Sequence, residues 1–385
     1  MKLVWRRLTR WRRAVRRSGT GRPLAVLWRR SSPTARAARL AGRLWRTNLS
    51  LDWTSLIRAT LARFPAQRLL VIGDAIADEF VHGTIARVSR EAPVLILRHE
   101  FTETIPGGAA NAAANAAALG VTTTWIGVIG RDRPGRRVLT DLRRRGVQTG
   151  AAVVLPGRPT PAKTRVLAGL PNAPRQQVIR LDREDASLLP PATADALVAR
   201  IRAALPNATG VVVSDYGYGS APPEVIALLQ AWRRETGSPV VADSRRRLAD
   251  FHGLTAATPN QEEAESLAGT AFQTLDDAGY HAERLRERLA LDALLLTRGS
   301  DGMTLARPGA APLSIPVHGA RTPVDVTGAG DTVLVAFTAA LAAGAELEIA
   351  MRLANVAAGM VVMKRGTATV SAAEIEAALL MENGL

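Results

Sequence analysis

From about Trp53 onward, short apolar runs alternate with stretches of helical periodicity. The runs are 68-RLLVIGD-74, 121-VTTTWIGVIG-130, 210-GVVVSDY-216, 238-SPVVADS-244 and 293-ALLLTRG-299. Each is short, rich in β-branched or aliphatic residues and closed by a turn signal, which predicts a buried strand meeting a loop. Between them lie 53-WTSLIRATLARF-64, 110-ANAAANAAALG-120, 222-PPEVIALLQAWRRE-235 and 280-YHAERLRERLA-290, which read as helices. Strands alternating with helices predict an α/β fold: a central, mostly parallel sheet flanked by helices on both faces. Several strands end in a polar residue, namely Asp74, Asp215, Asp243 and Thr297. Singly, such a residue reads as a cap for the next helix. As a set they point to one sheet edge, and open parallel sheets bind ligands beyond the carboxyl ends of their strands.

Two segments interrupt the alternation. Residues 80–101 carry period-two stretches and a proline but no helical stripe, and residues 163–182 read as a hairpin around the loop 169-GLPNAPR-175. Both predict strands outside the main sheet, forming a small β lid over the site.

Composition changes this picture in one place. The chain has 385 residues and no cysteine, which excludes disulfides, thiolate zinc sites and cysteine nucleophiles. Its five histidines are scattered, with no metal-ligand spacing. The formal charge of +16 lies wholly in residues 1–63, which hold sixteen arginines and Lys2 against the single acid Asp52. The rest is neutral, so nucleic acid is not an expected partner of the body. Residues 1–52 form a basic arm rich in arginine and tryptophan. Trp5, Leu8, Trp11 and Val15 recur at helical spacing between arginines, the pattern of an interfacial helix on an anionic membrane surface. The arm reads equally as a basic tail without a specific partner, or as sequence upstream of the true start; the next methionine is Met303. No apolar run is long enough for a signal segment or a membrane span, so the expected location is cytoplasmic, peripheral at the membrane if the arm binds there.

The candidate chemistry centres on 325-DVTGAGDTV-333. Glycine permits a tight turn there, and the apolar run after it makes a buried helix. The amides of Gly328, Ala329 and Gly330 would face outward at that helix's N-terminus, an anion site suited to a phosphoryl group gaining negative charge. Asp331 would repel a resting phosphate, and a general base for an attacking hydroxyl explains it. The plainer reading is an acid favoured by the helix dipole. A second cluster, 106-PGGAANAAANAAALG-120, leads two glycines into a helix of small residues with Asn111 and Asn115. Asn111 is positioned to bond sugar hydroxyls; the alternative is a tightly packed helix with surface asparagines. The P-loop pattern and the protein-kinase signatures are absent.

On these residues the chain from Trp53 to the C-terminus resembles the ribokinase-like (PfkB) sugar kinases. Gly107–Asn111 and Asp325–Asp331 match the two family signatures. It is similar in particular to bacterial D-glycero-D-manno-heptose 7-phosphate kinases, through 73-GDAIADEFVHGTIARVSREAPV-94, 214-SDYGYG-219, 258-TPNQEEAE-265, 297-TRGSDGM-303 and 354-ANVAAGMVVMKRGTATV-370. The resemblance implies a kinase domain over 53–385 using ATP and magnesium, with Asp331 as catalytic base and Gly328 to Gly330 as the anion hole. It implies sugar contacts from Asp74, Gly107, Gly108 and Asn111, and a seat for the substrate's phosphate at Lys163 and Arg165. Asn260 and Glu263 match an N-x-x-E that influences magnesium through water. Thr297, Gly299 and Asn355 lie where the family holds the nucleotide, and Asp325 and Thr327 where some members bind a monovalent cation such as potassium. Lid strands in such kinases pair between subunits, which implies a homodimer.

Three positions depart from the heptose-kinase pattern: Tyr218 stands where a lysine is usual, 243-DSRRR-247 replaces a proline-lysine-glycine, and Arg131 follows Gly130 where an acid is common. The chain ends just after the kinase body, so the nucleotidyltransferase domain of some relatives is expected to be absent, and a second reaction step to belong to another protein. The expected reaction is therefore ATP-dependent phosphorylation of a sugar hydroxyl, with heptose 7-phosphate as acceptor. The alternatives are a kinase for another sugar, sugar phosphate or nucleoside, and a non-catalytic sugar or nucleotide sensor.

Overall fold

A computed structural model of the protein describes residues 52–170 and 174–382. The expectation for the arm at residues 1–50 lies outside the described residues. Among those described, no helix is long and apolar enough to cross a membrane.

The main sheet has eight strands. In chain order they are β1 (Arg68–Gly73), β4 (Thr122–Ile126), β9 (Gly210–Asp215), β10 (Val240–Ser244), β11 (Ala256–Ala257), β12 (Ala293–Thr297), β13 (Met303–Ala306) and β14 (Leu313–Ile315). Their spatial order is β14-β13-β12-β11-β10-β9-β1-β4. The pairs from β4 to β12 are parallel, and β13 and β14 add an antiparallel edge. The apolar runs are apolar throughout because both sheet faces are covered. In β1, Leu69 and Val71 enter one core with Val212, Val241 and Leu295, while Leu70 and Ile72 enter the other with Val211, Val213 and Leu294. This is the two-residue side-chain period of a strand.

The first core is closed by α1 (Trp53–Leu61), α2 (Ala109–Ala118), α8 (Ala329–Ala342), α9 (Leu347–Val361) and α10 (Ala372–Glu382). The second is closed by α4 (Pro191–Ala204), α5 (Pro223–Thr236), α6 (Gln261–Ala268) and α7 (Leu275–Arg288). α3 (Arg133–Arg144) contributes Val138 and Leu142 to the first. The run 121–130 is not one strand. It breaks at Gly127, and β5 (Val128–Gly130) pairs instead with β6 (Val153–Leu155) in a separate ribbon. The short β11 and the antiparallel edge are additions that no apolar run announced.

The two interrupting segments lie together in a four-stranded sheet, ordered β3-β2-β7-β8. It comprises β2 (Ala75–Val88), β3 (Leu95–Gly108), β7 (Ala162–Gly169) and β8 (Gln176–Arg183). The strands run further toward the body than the sequence suggested. β2 starts two residues after β1 ends, and β3 runs directly into α2. The lid is thus rooted at both signature regions. Gly73 permits the sharp exit from β1: its φ is +149°, and a Cβ there would collide with the Ser214 carbonyl of neighbouring β9. Gly108, at φ +58°, makes the corresponding turn from β3 into α2.

Candidate active site

Gly328 adopts a left-handed φ of +81° and starts α8. The next three residues bring Asp331 into the crease between the lid root and the ends of β9 and β10. Asp331 is buried. Its Oδ2 accepts a hydrogen bond from Asn111 Nδ2 at 2.9 Å, and its Oδ1 faces the Tyr216 hydroxyl at 3.4 Å and the Ser214 hydroxyl at 3.5 Å. Burial pushes its carboxyl up to about 7; the bonds from Asn111, Tyr216 and Ser214 pull it back down, and Asp78 nearby adds to the rise. A carboxylate near 7 is matched to general-base work at neutral pH. Of the three amides expected to hold charge, Ala329 N–H is engaged with the Val326 carbonyl at 3.2 Å. Gly328 and Gly330 line the cleft beside Asp331.

Two expected sugar contacts do different work. Asp74 is buried, and both its oxygens are committed. Oδ2 accepts the amides of Tyr216 at 3.0 Å and Tyr218 at 2.9 Å, and Oδ1 accepts that of Ser220 at 2.9 Å. It braces the 216–220 loop. Asn111 is not a surface asparagine either. It is buried on α2, where Asn115 Nδ2 bonds its Oδ1 at 3.1 Å, and its own amide points at Asp331. Asn111 therefore orients the Asp331 carboxylate. Gly107 and Gly108 do line the acceptor cleft. A Cβ on Gly107 would strike the Asp78 carboxylate, so glycine keeps that wall open.

The cleft has a volume of about 530 Å³, and Lys163, Arg165, Arg180 and Arg245 converge on it. Lys163 and Arg165 come from β7, as the sequence suggested. Arg180 on β8 and Arg245 after β10 were missed. Arg245 lies in the anomalous 243–247 segment, whose three arginines were the available signal. Lys163 Nζ sits 5.6 Å from the Tyr216 ring centroid. Burial lowers its pKa, and Arg245 and Arg180 lower it further against Asp78 and Asp182. Arg165 bonds Asp78 Oδ1 at 2.6 Å. Asp78, Ser214 and Tyr216 are further residues that motif reading missed, since each carries meaning only once β2, β9 and α8 meet.

Asn260 is the N-cap of α6, and the two side chains of Asn260 and Glu263 form a reciprocal capping box: Asn260 Oδ1 takes the Glu263 amide at 2.9 Å, and Glu263 Oε2 takes the Asn260 amide at 3.0 Å. Both still line the cleft, with Asp215 and Asp243. Asp243 Oδ1 is buried without a hydrogen-bond partner. Burial pushes the Asp243 carboxyl well up, reinforced by Glu263, Asp331 and Asp215, and burial also raises Glu263. Two crowded acids with an orphaned oxygen fit a hydrated divalent cation. Among the described residues no three acid or histidine side chains form a preformed metal cage, so such a cation would bring most of its ligands with it.

Thr297, Gly299 and Asn355 line a second, mainly apolar slot of about 160 Å³ with Val317, Val333 and Gly359. Asn355 shapes its wall, donating to the Pro316 carbonyl at 2.8 Å and accepting from the His318 amide at 3.4 Å. The slot and the acceptor cleft share Val326 and Gly330, so they meet at the N-terminus of α8. Asp325 braces its loop: its oxygens accept the amides of Thr327 and Gly366, both at 2.9 Å. Of the departing residues, Tyr218 bonds Glu184 Oε1 at 2.6 Å through its hydroxyl. Arg131 accepts a bond from Arg136 at 3.4 Å through its carbonyl, away from the cleft.

A two-cleft site of this kind, on an α/β sheet with a β lid, defines a phosphoryl-transfer enzyme for a small hydroxyl acceptor. The model of the pfkB family carbohydrate kinases matches residues 66–374, and the chain belongs to that family of sugar phosphotransferases. It is 43% identical over 324 residues to the bifunctional protein HldE of Nitrosococcus oceani, covering 83% of this chain and 65% of that one. It is 41% identical over 329 residues to HldE of Stutzerimonas stutzeri, covering 85% and 67%. The chain thus spans about two thirds of these relatives' length. Among solved structures, the ribokinase of Arabidopsis thaliana complexed with ribose and ATP aligns with a TM-score of 0.63 at 21% identity, covering 81% of this chain and 98% of that one. The tetrameric inhibited form of phosphofructokinase-2 from Escherichia coli aligns at 0.62 and 17%, covering 82% and 99%. These two likenesses establish the fold.

Two outcomes follow from the site. The rate, as kcat/KM, should rise with pH through about 7 as Asp331 loses its proton. Asn111→Ala removes a bond that favours the charged form, so the midpoint should move to higher pH; a midpoint that stays or falls would contradict the role given to Asn111. Asp74→Ala strands three buried amides and should cost about 3 kcal/mol or more in urea unfolding. Unchanged stability with a raised sugar KM would instead make Asp74 a substrate ligand.

Proposed function

We propose that the protein transfers the γ-phosphoryl group of ATP to the anomeric hydroxyl of D-glycero-D-manno-heptose 7-phosphate, giving the 1,7-bisphosphate. The observation that carries this reading is the position of Asp331 and Gly330 where a cleft reached by Lys163, Arg165, Arg180 and Arg245 meets the slot lined by Thr297, Gly299 and Asn355. The family membership, the similarity to the HldE proteins and the resemblance to heptose 7-phosphate kinases support it.

The nucleotide lies in the apolar slot with its phosphates toward the N-terminus of α8. The sugar lies in the acceptor cleft. Lys163, Arg180 and Arg245 hold the phosphate it already carries, which demands cations that an unphosphorylated sugar does not. Asp331, kept in place by Asn111 and Tyr216, takes the proton of the attacking hydroxyl. That oxygen bonds the γ-phosphorus as the bond to the bridging oxygen breaks and ADP leaves. The free amides at the start of α8 stabilise the charge on the transferring group. Magnesium, with Asp243 and Glu263 as the residues that would hold it through water, supplies charge neutralisation on the nucleotide's phosphates.

A homodimer through the lid belongs to the same reading. β8 is an edge strand, and Val178, Ile179 and Leu181 on it are 44%, 50% and 56% exposed. A free apolar edge of this kind calls for a cover, and a second lid supplies one with matching symmetry. Sedimentation velocity should show a dimer for the wild type and a monomer for Ile179→Glu/Leu181→Glu; a wild-type monomer at micromolar concentration rules the arrangement out.

The acceptor is tested with a panel of sugars, sugar phosphates and nucleosides in a coupled ADP assay. Heptose 7-phosphate should have the highest kcat/KM. Lys163→Ala should raise KM for it at least tenfold, with a much smaller effect on an unphosphorylated sugar. Asp331→Ala should abolish turnover while ATP still binds. Near-normal turnover in that variant defeats the mechanism, and preference for another acceptor defeats the substrate assignment alone.

A further inference from the structure

A second concentration of positive charge lies away from the catalytic cleft. The segment 131–145 holds seven arginines and two aspartates. Both aspartates are already engaged. Asp132 caps α3, accepting the Gly135 amide at 2.9 Å, the Thr160 amide at 2.8 Å and the Thr160 hydroxyl at 2.7 Å. Asp141 is buried and bonded by Arg144 and Arg145. Arg133, Arg136 and Arg137 have no carboxylate partner among the described residues; Arg136 reaches only a backbone carbonyl, and Arg137 the Thr104 hydroxyl at 3.1 Å.

These arginines do not fan out over a flat face. Arg133, Arg136, Arg137 and Arg144 line an open groove of about 370 Å³ with Thr140 and Asp141, and Thr102 and Thr104 of β3 form its other wall. Three guanidinium groups without a carboxylate partner, a hydroxyl-bearing wall and a single acid already paired with Arg144 and Arg145 match a polyphosphate in charge and in hydrogen-bonding geometry. A membrane surface would be met better by a flat basic face with apolar side chains. The groove also has a defined relation to catalysis. Thr102 and Thr104 point to one face of β3, while Glu103 and Ile105 on the other face line the space under the lid. Three residues beyond Thr104, Gly107 lines the acceptor cleft. An anion in the groove would therefore tie α3 to the strand that carries the cleft wall.

We propose that the groove between α3 and β3 is a second, non-catalytic anion site for a soluble polyphosphate-bearing ligand, such as a nucleoside di- or triphosphate. It is independent of the acceptor assigned above, since none of its residues lines the acceptor cleft or the nucleotide slot.

The probe is tripolyphosphate, titrated calorimetrically into the full chain at moderate salt. Wild type should show a binding event that Arg133→Ala/Arg136→Ala weakens at least tenfold and Lys163→Ala leaves intact. Arg133 and Arg136 are exposed, so the double variant should keep its circular dichroism spectrum and its kcat; Arg136→Glu is a second variant with the same expectation. An isotherm identical in wild type and both groove variants overturns the proposal. So does binding of phosphatidylglycerol vesicles that is lost in the groove variants while tripolyphosphate does not bind, because the groove would then serve lipid.

Discussion

One hydrogen bond organises the catalytic centre: the 2.9 Å contact between Asn111 on α2 and Asp331 on α8. It joins the helix that follows β3 to the helix that presents the Asp331 carboxylate, and it crosses 220 residues of sequence. An ionised carboxylate placed this deep is costly unless donors meet it. Asn111, Tyr216 and Ser214 are those donors, and each comes from a different element. Their combined effect leaves Asp331 near 7 instead of far above it. The same centre explains why α2 is built of alanines. Small side chains let it pass close to α8, and only the asparagines at 111 and 115 interrupt them, both buried. Asn115 in turn bonds Asn111 and accepts from the Thr332 hydroxyl, so the chain of bonds is closed at both ends.

A second constraint works on the loops. Three carboxylates that sit beside the site bond backbone amides. Asp74 gathers three amides of the 216–220 loop, Asp325 holds the turns at Thr327 and Gly366, and Glu263 caps α6 together with Asn260. Loops at a sheet edge have few partners of their own, and charge-assisted bonds to amides fix them firmly. The cleft is therefore shaped in part by acids, and its lining brings Lys163, Arg165, Arg180 and Arg245 together with Asp78, Asp215, Asp243, Glu263 and Asp331.

Much of this architecture was legible in the chain. The strands β1, β9, β10 and β12 appear as apolar runs because both sheet faces are covered, and a run of that kind has few other uses. The lid segments stood out because they lacked helical period. The glycine turn and Asp331 were legible because left-handed backbone, outward amides and a buried helix demand a narrow set of residues at fixed spacing. What the sequence left open shares one cause. The resemblance gave roles to Asp74 and Asn111, but the amides and the carboxylate they bond in the structure are brought from elsewhere in the chain. The split of 121–130 was invisible for a related reason: Gly127 ends one strand, and the partner of the next, β6, is chosen in space.

The sequence by itself determined the class of fold, the location of the phosphoryl-transfer motif and the confinement of net charge to residues 1–63, because periodicity, glycine geometry and charge count are local properties. Only the tertiary structure decided which polar groups are spent on holding the protein and which are left for chemistry. A carboxylate's work depends on what lies within about 3 Å of its oxygens, and for Asp74, Asp78 and Asp331 those neighbours come from strands, loops and helices far apart in the chain. Arg180 and Arg245 join Lys163 for the same reason: the acceptor cleft exists only where the lid folds over the ends of β9 and β10.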